Sequence, residues 1–597
     1  MGGRYTLART GLAGLAGLGA WLLAACSALP PAAPQQPVTV RLIAFNDFHG
    51  NLESRGLTLP WPDPADPKKV ARLAAGGAAP LAGLVQALRA GATHHLTISS
   101  GDMIGGTPLV SALFRHESTV DIANRIGVDL AVPGNHEFDA GRQELLRVMG
   151  GGCVAEAPGS ATASCALGPH GGARFPHFAA NVHLEGGGTL FPPSVVREFG
   201  GIRVAFIGAV TRGTPAIVVP SGVAGLRFSD EAQALNAEAA RLKAQGIEAM
   251  VAVIHEGGDT GTPGLPLEWN DAGCPNPRGS IFDIVRRLSP DIDLVFSAHT
   301  HQGYRCVIDG RAVMQATALG RGVSVADIVL DPRTRDIDRA RTTHRNLPVL
   351  NEASDARLRE AIIASEPAPW GEALRAAAPD AAVAARVQQW AQAAAPLAQR
   401  PYGRITGAFD RLSHTDASAG RLVADAQWEA TRAPERGGAQ FAFMNPGGVR
   451  TDLRCPAAPP CEVSYAEVFA MQPFGNTLVV MTLSGAELLA LLEDQQRPGQ
   501  ATPYFLIPSA SLTYEWHARA AHGQRVRELR VDGQPVQPQR SYRFAVNNFL
   551  AEGGDRMTGL RQGRERVGGM LDVEALGAYL LAQPRGPERR ARVTLVD

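Results

Sequence analysis

Lysine is nearly missing from this chain: Lys68, Lys69 and Lys243 are the three in 597 residues. Arginine carries almost every positive charge as a matter of composition, so an arginine counts as an anion ligand only where its motif says so. A charge surplus is missing as well, since Lys plus Arg and Asp plus Glu both number 57. No global field therefore draws the chain to a nucleic-acid polymer or an anionic membrane face. No apolar run reaches the roughly 20 residues that cross a bilayer, and no internal repeat of about 20 to 50 residues marks a solenoid. Cysteines number only 7, none in a C-x-x-C arrangement, which argues against a thiolate zinc site.

The chain is too long for one ordinary core, so two or more domains are expected. Apolar residues make up 45% of it, and glycine (66) with proline (43) stays below the share that argues for disorder. The N-terminus has its own pattern. Arg4 and Arg9 precede an apolar stretch, Leu12 to Leu23, that suits a secretory leader rather than a membrane span. It ends in L-A-A-C, Leu23 to Cys26, which resembles the bacterial lipobox. Residues 1–26 are thus expected to be a lipoprotein signal with Cys26 lipidated, and residues 27–37 a Pro-rich tether. Ser27 after the cysteine fits sorting to the periplasmic face of an outer membrane. Export allows disulfides. The expected pairs are Cys153 with Cys165 and Cys455 with Cys461, each closing a short loop, which leaves Cys274 for Cys306.

From Val38 onward, strand-like runs alternate with helical stretches such as Ala79 to Ala90 and Asp230 to Gln245, an α/β pattern with layered sheets. Pro62 to Lys69 and Gly151 to Gly172 read as surface insertions. The Ala-rich stretch Glu352 to Gln399 reads as helical, and a second α/β region begins near Tyr402. The expected domains are 38–345, a helical linker 346–402, and 403–597.

Five apolar runs end in polar side chains able to bind metal: Leu42 to His49, Leu96 to Asp102, Leu130 to Asp139, Met250 to His255 and Ile292 to His301. In extended backbone alternate side chains share a face, so Asp47 and His49 are expected to point one way, and His299 and His301 likewise. Asp47, His49, Asp102, Asn135, His255, His299 and His301 are more donors than one ion takes. Two divalent ions roughly 3.5 to 4 Å apart repel by about 5 kcal/mol even in water's dielectric, so a bridging anion is needed. Asp102 is the expected bridge. Asp, Asn and His suit Mn, Zn, Co and Fe alike.

D-x-H, G-D, G-N-H-E, a lone H and H-x-H in this order resemble the calcineurin-type metallophosphoesterases, and specifically the exported bacterial 5'-nucleotidase/UDP-sugar hydrolase family. That resemblance implies a four-layer α/β/β/α domain followed by a smaller α/β domain that binds substrate. It implies one ion on Asp47, His49, Asp102 and His301, the other on Asp102, Asn135, His255 and His299, and a catalytic dyad of His136 and Asp139. Ala298 stands where the family commonly has Gly, and His301 where some members have Gln. In the C-terminal half, Asn445 to Arg450 (N-P-G-G-V-R) resembles the family's substrate loop, with Pro446 in place of a common Gly. Its glycines are expected to bring backbone amides to an anion, and Arg450 to add a bidentate donor. P-F-G-N-T and N-F-L-A-E-G-G-D match segments that supply two rings for the base and an acid for the ribose, here Phe474, Phe549 and Asp555. Arg411 is a further candidate.

The expected activity is release of phosphate from extracytoplasmic nucleotides: monophosphates, 2',3'-cyclic nucleotides or UDP-sugars. The alternatives are a dimanganese thiosulfohydrolase of sulfur oxidation and a non-catalytic surface lipoprotein.

Overall fold

The computed structural model describes residues 36–155, 162–261, 268–411, 417–496, 503–588 and 590–596. The expected leader with Cys26, and the tether through residue 35, lie outside the described residues. Among those described, no helix is long and apolar enough to cross a membrane.

The N-terminal half is built on two six-stranded sheets. In the first, Val38–Phe45 pairs in parallel with His95–Ser99 and antiparallel with Gly322–Asp331. Leu130–Ala131 lies beyond His95–Ser99, and Thr343–Pro348 also pairs with Gly322–Asp331. The second sheet runs Gly303–Ile308, Arg311–Ala316, Leu294–Ser297, Ala249–His255, Ile202–Val210 and Ser194–Phe199. From Leu42 to Phe45, strand Val38–Phe45 is a continuous apolar run because both its faces are buried there. Val40, Leu42 and Ala44 meet Val204, Phe206, Val251 and Phe296 of the other sheet, while Ile43 and Phe45 turn to the helices outside. Helices Glu231–Ala244 and Ser280–Arg286 cover the far side of the second sheet through Leu235, Leu242, Ile281 and Val285. The layers are therefore α/β/β/α, as expected.

The stretch expected to be a linker behaves differently. Strand Thr343–Pro348 runs through residue 345, so the first domain's sheet does not end there. Helices Ala356–Ser365, Trp370–Ala376 and Ala381–Ala398 then pack into the outer helical layer beside Ala78–Ala90, sharing one core with it. Asp121 ties the longest of them down, accepting from Trp390 Nε1 at 3.0 Å and from Arg386. An Ala-rich sequence with apolar residues at helical spacing packs closely, and here it has a sheet-backed helix to pack on.

The C-terminal half centres on a five-stranded sheet ordered Ile507–Pro508, Phe441–Met444, Ser541–Asn547, Thr477–Ser484 and Arg564–Leu571. Helix Ser418–Thr431 lies against it, and helix Gly485–Glu493 starts at a capping box of Ser484 and Glu487. Cys153–Cys165, Cys274–Cys306 and Cys455–Cys461 are the disulfides, the pairs expected.

The helical layer approaches Ala78–Ala90 so closely that a Cβ on Gly83 would sit 1.8 Å from the carbonyl oxygen of Ala378. Gly83→Ala is expected to push the layer off and cost about 1 to 3 kcal/mol, the usual range for overpacking. Thermal unfolding checks this, and a wild-type Tm in the variant would contradict it.

Candidate metal centre and substrate cavity

Each candidate donor sits at or just past a strand end, on the rim where both sheets finish. The backbone there is not extended. Asp47 (φ 49°), His49 (φ 45°), Asp102 (φ 50°), His299 (φ 73°) and His301 (φ 58°) all occupy the left-handed region, where non-glycine residues are uncommon. This corrects the expected alternation: Asp47 and His49 reach one site through left-handed turns, not through strand pleating. Five such residues at one rim are local strain that the packed sheets must hold, as is common at functional sites.

The donor atoms of Asp47, His49, Asp102 and His301 lie within 4.8 Å of one another, as do those of Asp102, His255 and His299. Asp102 belongs to both groups. Asn135 Oδ1 is 3.2 Å from His255 Nε2, which places it at the second group. His49 Nδ1–H donates to the Gly105 carbonyl at 2.7 Å and His255 Nδ1–H to the Ser100 carbonyl at 2.9 Å, leaving Nε2 of each ring for the centre. Asp47 and Asp102 are buried, and the groups paired with them are imidazoles: His301 at 3.5 Å from Asp47, His255 at 3.2 Å and His49 at 3.6 Å from Asp102. Burial disfavours the His255 imidazolium, yet the Asp102 carboxylate pushes its pKa up to about 10. Two carboxylates, an amide and four imidazoles around the centre fit a pair of divalent cations.

Glu137 stands in the G-N-H-E motif, yet nothing in the motif marks its role. Its buried carboxylate accepts from the backbone N–H groups of Asp102 (3.0 Å), Met103 (2.8 Å) and Gly134 (2.5 Å), clamping the G-D and G-N-H-E turns together. Asn46 is another support that the sequence does not reveal. It donates to Asp47 Oδ2 at 2.6 Å and accepts from the Ala316 N–H at 3.1 Å, fixing the first aspartate to the second sheet. The signal for both is adjacency to a motif residue, which does not distinguish a support from a bystander.

His136 Nδ1 is 2.8 Å from Asp139 Oδ2, and the His136 N–H donates to Asp102 Oδ1 at 2.9 Å. Burial works against protonation of His136, but Asp139 and Asp102 outweigh it and raise its pKa.

A cavity of about 330 Å³ opens beside the centre, lined on one side by Asn135, His136, Asp139 and His299 and on the other by Asn445, Arg450, Phe474, Phe549 and Asp555. The two halves of the chain therefore build one site. Asp555 (φ 51°) accepts from Asn445 Nδ2 at 2.8 Å and from the Tyr504 hydroxyl at 2.7 Å. Tyr504 stands in no motif, so the sequence gives no signal for it. One expectation changes here. The glycine amides of the N-P-G-G-V-R loop are already used, Gly447 N–H on the Tyr504 hydroxyl and Gly448 N–H on the Asn445 carbonyl, while Arg450 lines the cavity. Arg411 donates to the Arg450 carbonyl at 2.6 Å and so braces the loop from behind. Phe474 lines the cavity with Phe549, and its ring also lies on the His136 imidazole, centroids 5.6 Å apart and planes 18° apart.

The family model described as 5'-nucleotidase, C-terminal domain, matches residues 398–562. "Endonuclease YhcR" of Bacillus subtilis is 27% identical over 95% of this chain, which spans 42% of that relative's length. "Probable 5'-nucleotidase" of Treponema pallidum is 26% identical over 86% of each chain. The crystal structure of a 5'-nucleotidase precursor from Thermus thermophilus superposes with TM-score 0.70 at 24% identity, over 94% of this chain and 99% of its own. Residues 398–562 thus match a 5'-nucleotidase C-terminal domain, and over nearly its whole length the chain shares the fold of a solved 5'-nucleotidase structure.

Proposed function

We propose that the protein is a dinuclear-metal 5'-nucleotidase that releases phosphate from nucleotides outside the cytoplasm. The observation that carries this reading is the sharing of Asp102 by two donor clusters that open, through Asn135 and His299, onto a cavity with a ring, an acid and an arginine on its far wall. Asp47, His49, Asp102 and His301 would hold one ion and Asp102, Asn135, His255 and His299 the other. When bound there, two divalent ions supply Lewis-acid charge for an in-line displacement at phosphorus.

The chain's own groups do the rest. His136, oriented by Asp139 and kept protonated, donates from Nε2 to charge that develops on the phosphoryl oxygens. Arg450 binds the anionic part of the substrate, and the half-buried ring of Phe549 offers a face for the base. Asp555, held by Tyr504 and Asn445, presents an acceptor for ribose hydroxyls. The rings and the acid favour a nucleotide over thiosulfate, which has nothing to stack. Sulfate against phosphate release across nucleotides and sulfur substrates tests the choice, and sulfate release alone would overturn it.

Export as a lipoprotein anchored through Cys26 rests on the leader's pattern and is consistent with three disulfides. Cys26→Ala is expected to release a soluble exported protein, and a wild type found wholly in the soluble fraction would refute the anchor.

Because Asp102 sits in both clusters, Asp102→Ala is expected to lose both ions, whereas His301→Ala loses one. Metal content of the purified variants decides it. Two metals retained in Asp102→Ala would remove the bridging assignment. Stacking on an aromatic ring is worth roughly 1 to 3 kcal/mol per base. Phe549→Ala is therefore expected to lower kcat/KM for a nucleotide by about tenfold to a hundredfold and to leave a small aryl-free phosphate ester nearly unchanged. Equal losses on both would make the ring structural.

A further inference from the structure

Phe474 has a neighbour besides the cavity that it lines. Its ring lies nearly parallel to the His136 imidazole, 18° between planes and 5.6 Å between centroids, and the Arg450 guanidinium carbon is 5.7 Å from its centroid. His136 belongs to the metal-binding half, whereas Phe474 and Arg450 belong to the other. The ring thus inserts between the dyad of one domain and the anion ligand of the other.

The space for this insertion is built by a glycine pair that the metal motifs leave unexplained. Gly105 and Gly106 both have left-handed backbone (φ 80° and 54°). A Cβ on Gly105 would stand 2.5 Å from the His136 carbonyl oxygen and 2.8 Å from Asp139 Oδ2, so the dyad rests directly on it. A Cβ on Gly106 would stand 3.3 Å from Cε1 and Cζ of Phe474, so the ring rests on the next residue of the same turn. One turn therefore seats both the dyad and the ring that covers it. The Gly105 carbonyl also receives the His49 Nδ1–H, which links the seat to the metal-binding rim.

We propose that Phe474 is a positioning residue for the reaction. Brought by the C-terminal domain, it packs on the face of His136, fixes the imidazole plane against Asp139 and excludes water from it, so the dyad is complete only when the two domains are together. This rests on the phosphohydrolase reading for its kinetic consequence but not for the contact itself. A ring in contact restricts the imidazole's rotation, and a general acid held in one orientation retains the advantage that positioning confers. The consequence differs from base stacking: it reaches substrates that have no base.

The test uses the full chain and two substrates, a nucleoside monophosphate and glycerol phosphate, with metal content confirmed in each variant. Phe474→Ala is expected to lower kcat on glycerol phosphate by on the order of tenfold with KM little changed, and Phe474→Tyr to restore it, while Phe474→Leu does not. In a His136→Ala background, removing the ring is expected to cost nothing more, because two residues acting as one unit are not additive. Wild-type kcat on glycerol phosphate in Phe474→Ala, or the same fold loss with and without His136, would overturn the proposal. The second readout needs no turnover: carbethoxylation of His136, followed by peptide mass spectrometry, is expected to be several-fold faster in Phe474→Ala. An unchanged labelling rate would overturn the contact. Absence of any phosphate release by the wild type would instead strike the phosphohydrolase reading, and the labelling result would still stand.

Discussion

The Asp102 carboxylate is the point on which the other parts of the site depend. Its Oδ2 faces His255 and His49, one from each sheet, and its Oδ1 accepts from the backbone of His136. Its own N–H is held by Glu137 and its carbonyl by the His49 N–H. Gly134 makes this crowding possible, because a Cβ there would lie 2.1 Å from Asp102 Oδ1. A buried carboxylate without cationic partners would be costly. The imidazoles gathered around it, and the ions they are suited to hold, offset that cost.

From this constraint follows the architecture. Strand ends of two sheets must meet at one rim within a few ångströms, so the sheets pack face to face over a dry apolar layer and are backed by helices outside. The helices after residue 355 serve that backing rather than acting as a free connection. The chain after those helices is seated on the first half, sharing a core with it, and the cavity is lined from both sides. Arg450 lies near the ring of Phe474, which lies next to His136.

Strain at the rim has a physical logic. Left-handed turns at Asp47, His49, Asp102, His299 and His301 each cost free energy, and they persist because the strands before them are fully buried and cannot slip. The large apolar core thus holds unfavourable backbone at the place where donors must converge. Polar supports such as Glu137 and Asn46 spread the load through backbone hydrogen bonds, which fixes the donors before any ion arrives.

Much of this was legible in the chain's order of residues. Apolar runs ending in Asp, Asn and His marked the strands and the polar side chains that converge at the rim, because burial on both faces of a central strand leaves an apolar signature. Short loops pointed to two of the disulfide pairs, and the third was the pair that remained. Tertiary structure alone decided the rest. That Asp47 and His49 converge by left-handed turns, that Gly447 and Gly448 spend their amides on Tyr504 and Asn445, and that Arg411 braces the loop are outcomes of competition for hydrogen-bond partners far apart in sequence. Phe474 shows the same limit. Its motif marks it as a residue of the site, but which ring it covers depends on how the two halves of the chain meet, and local sequence carries no term for that distance.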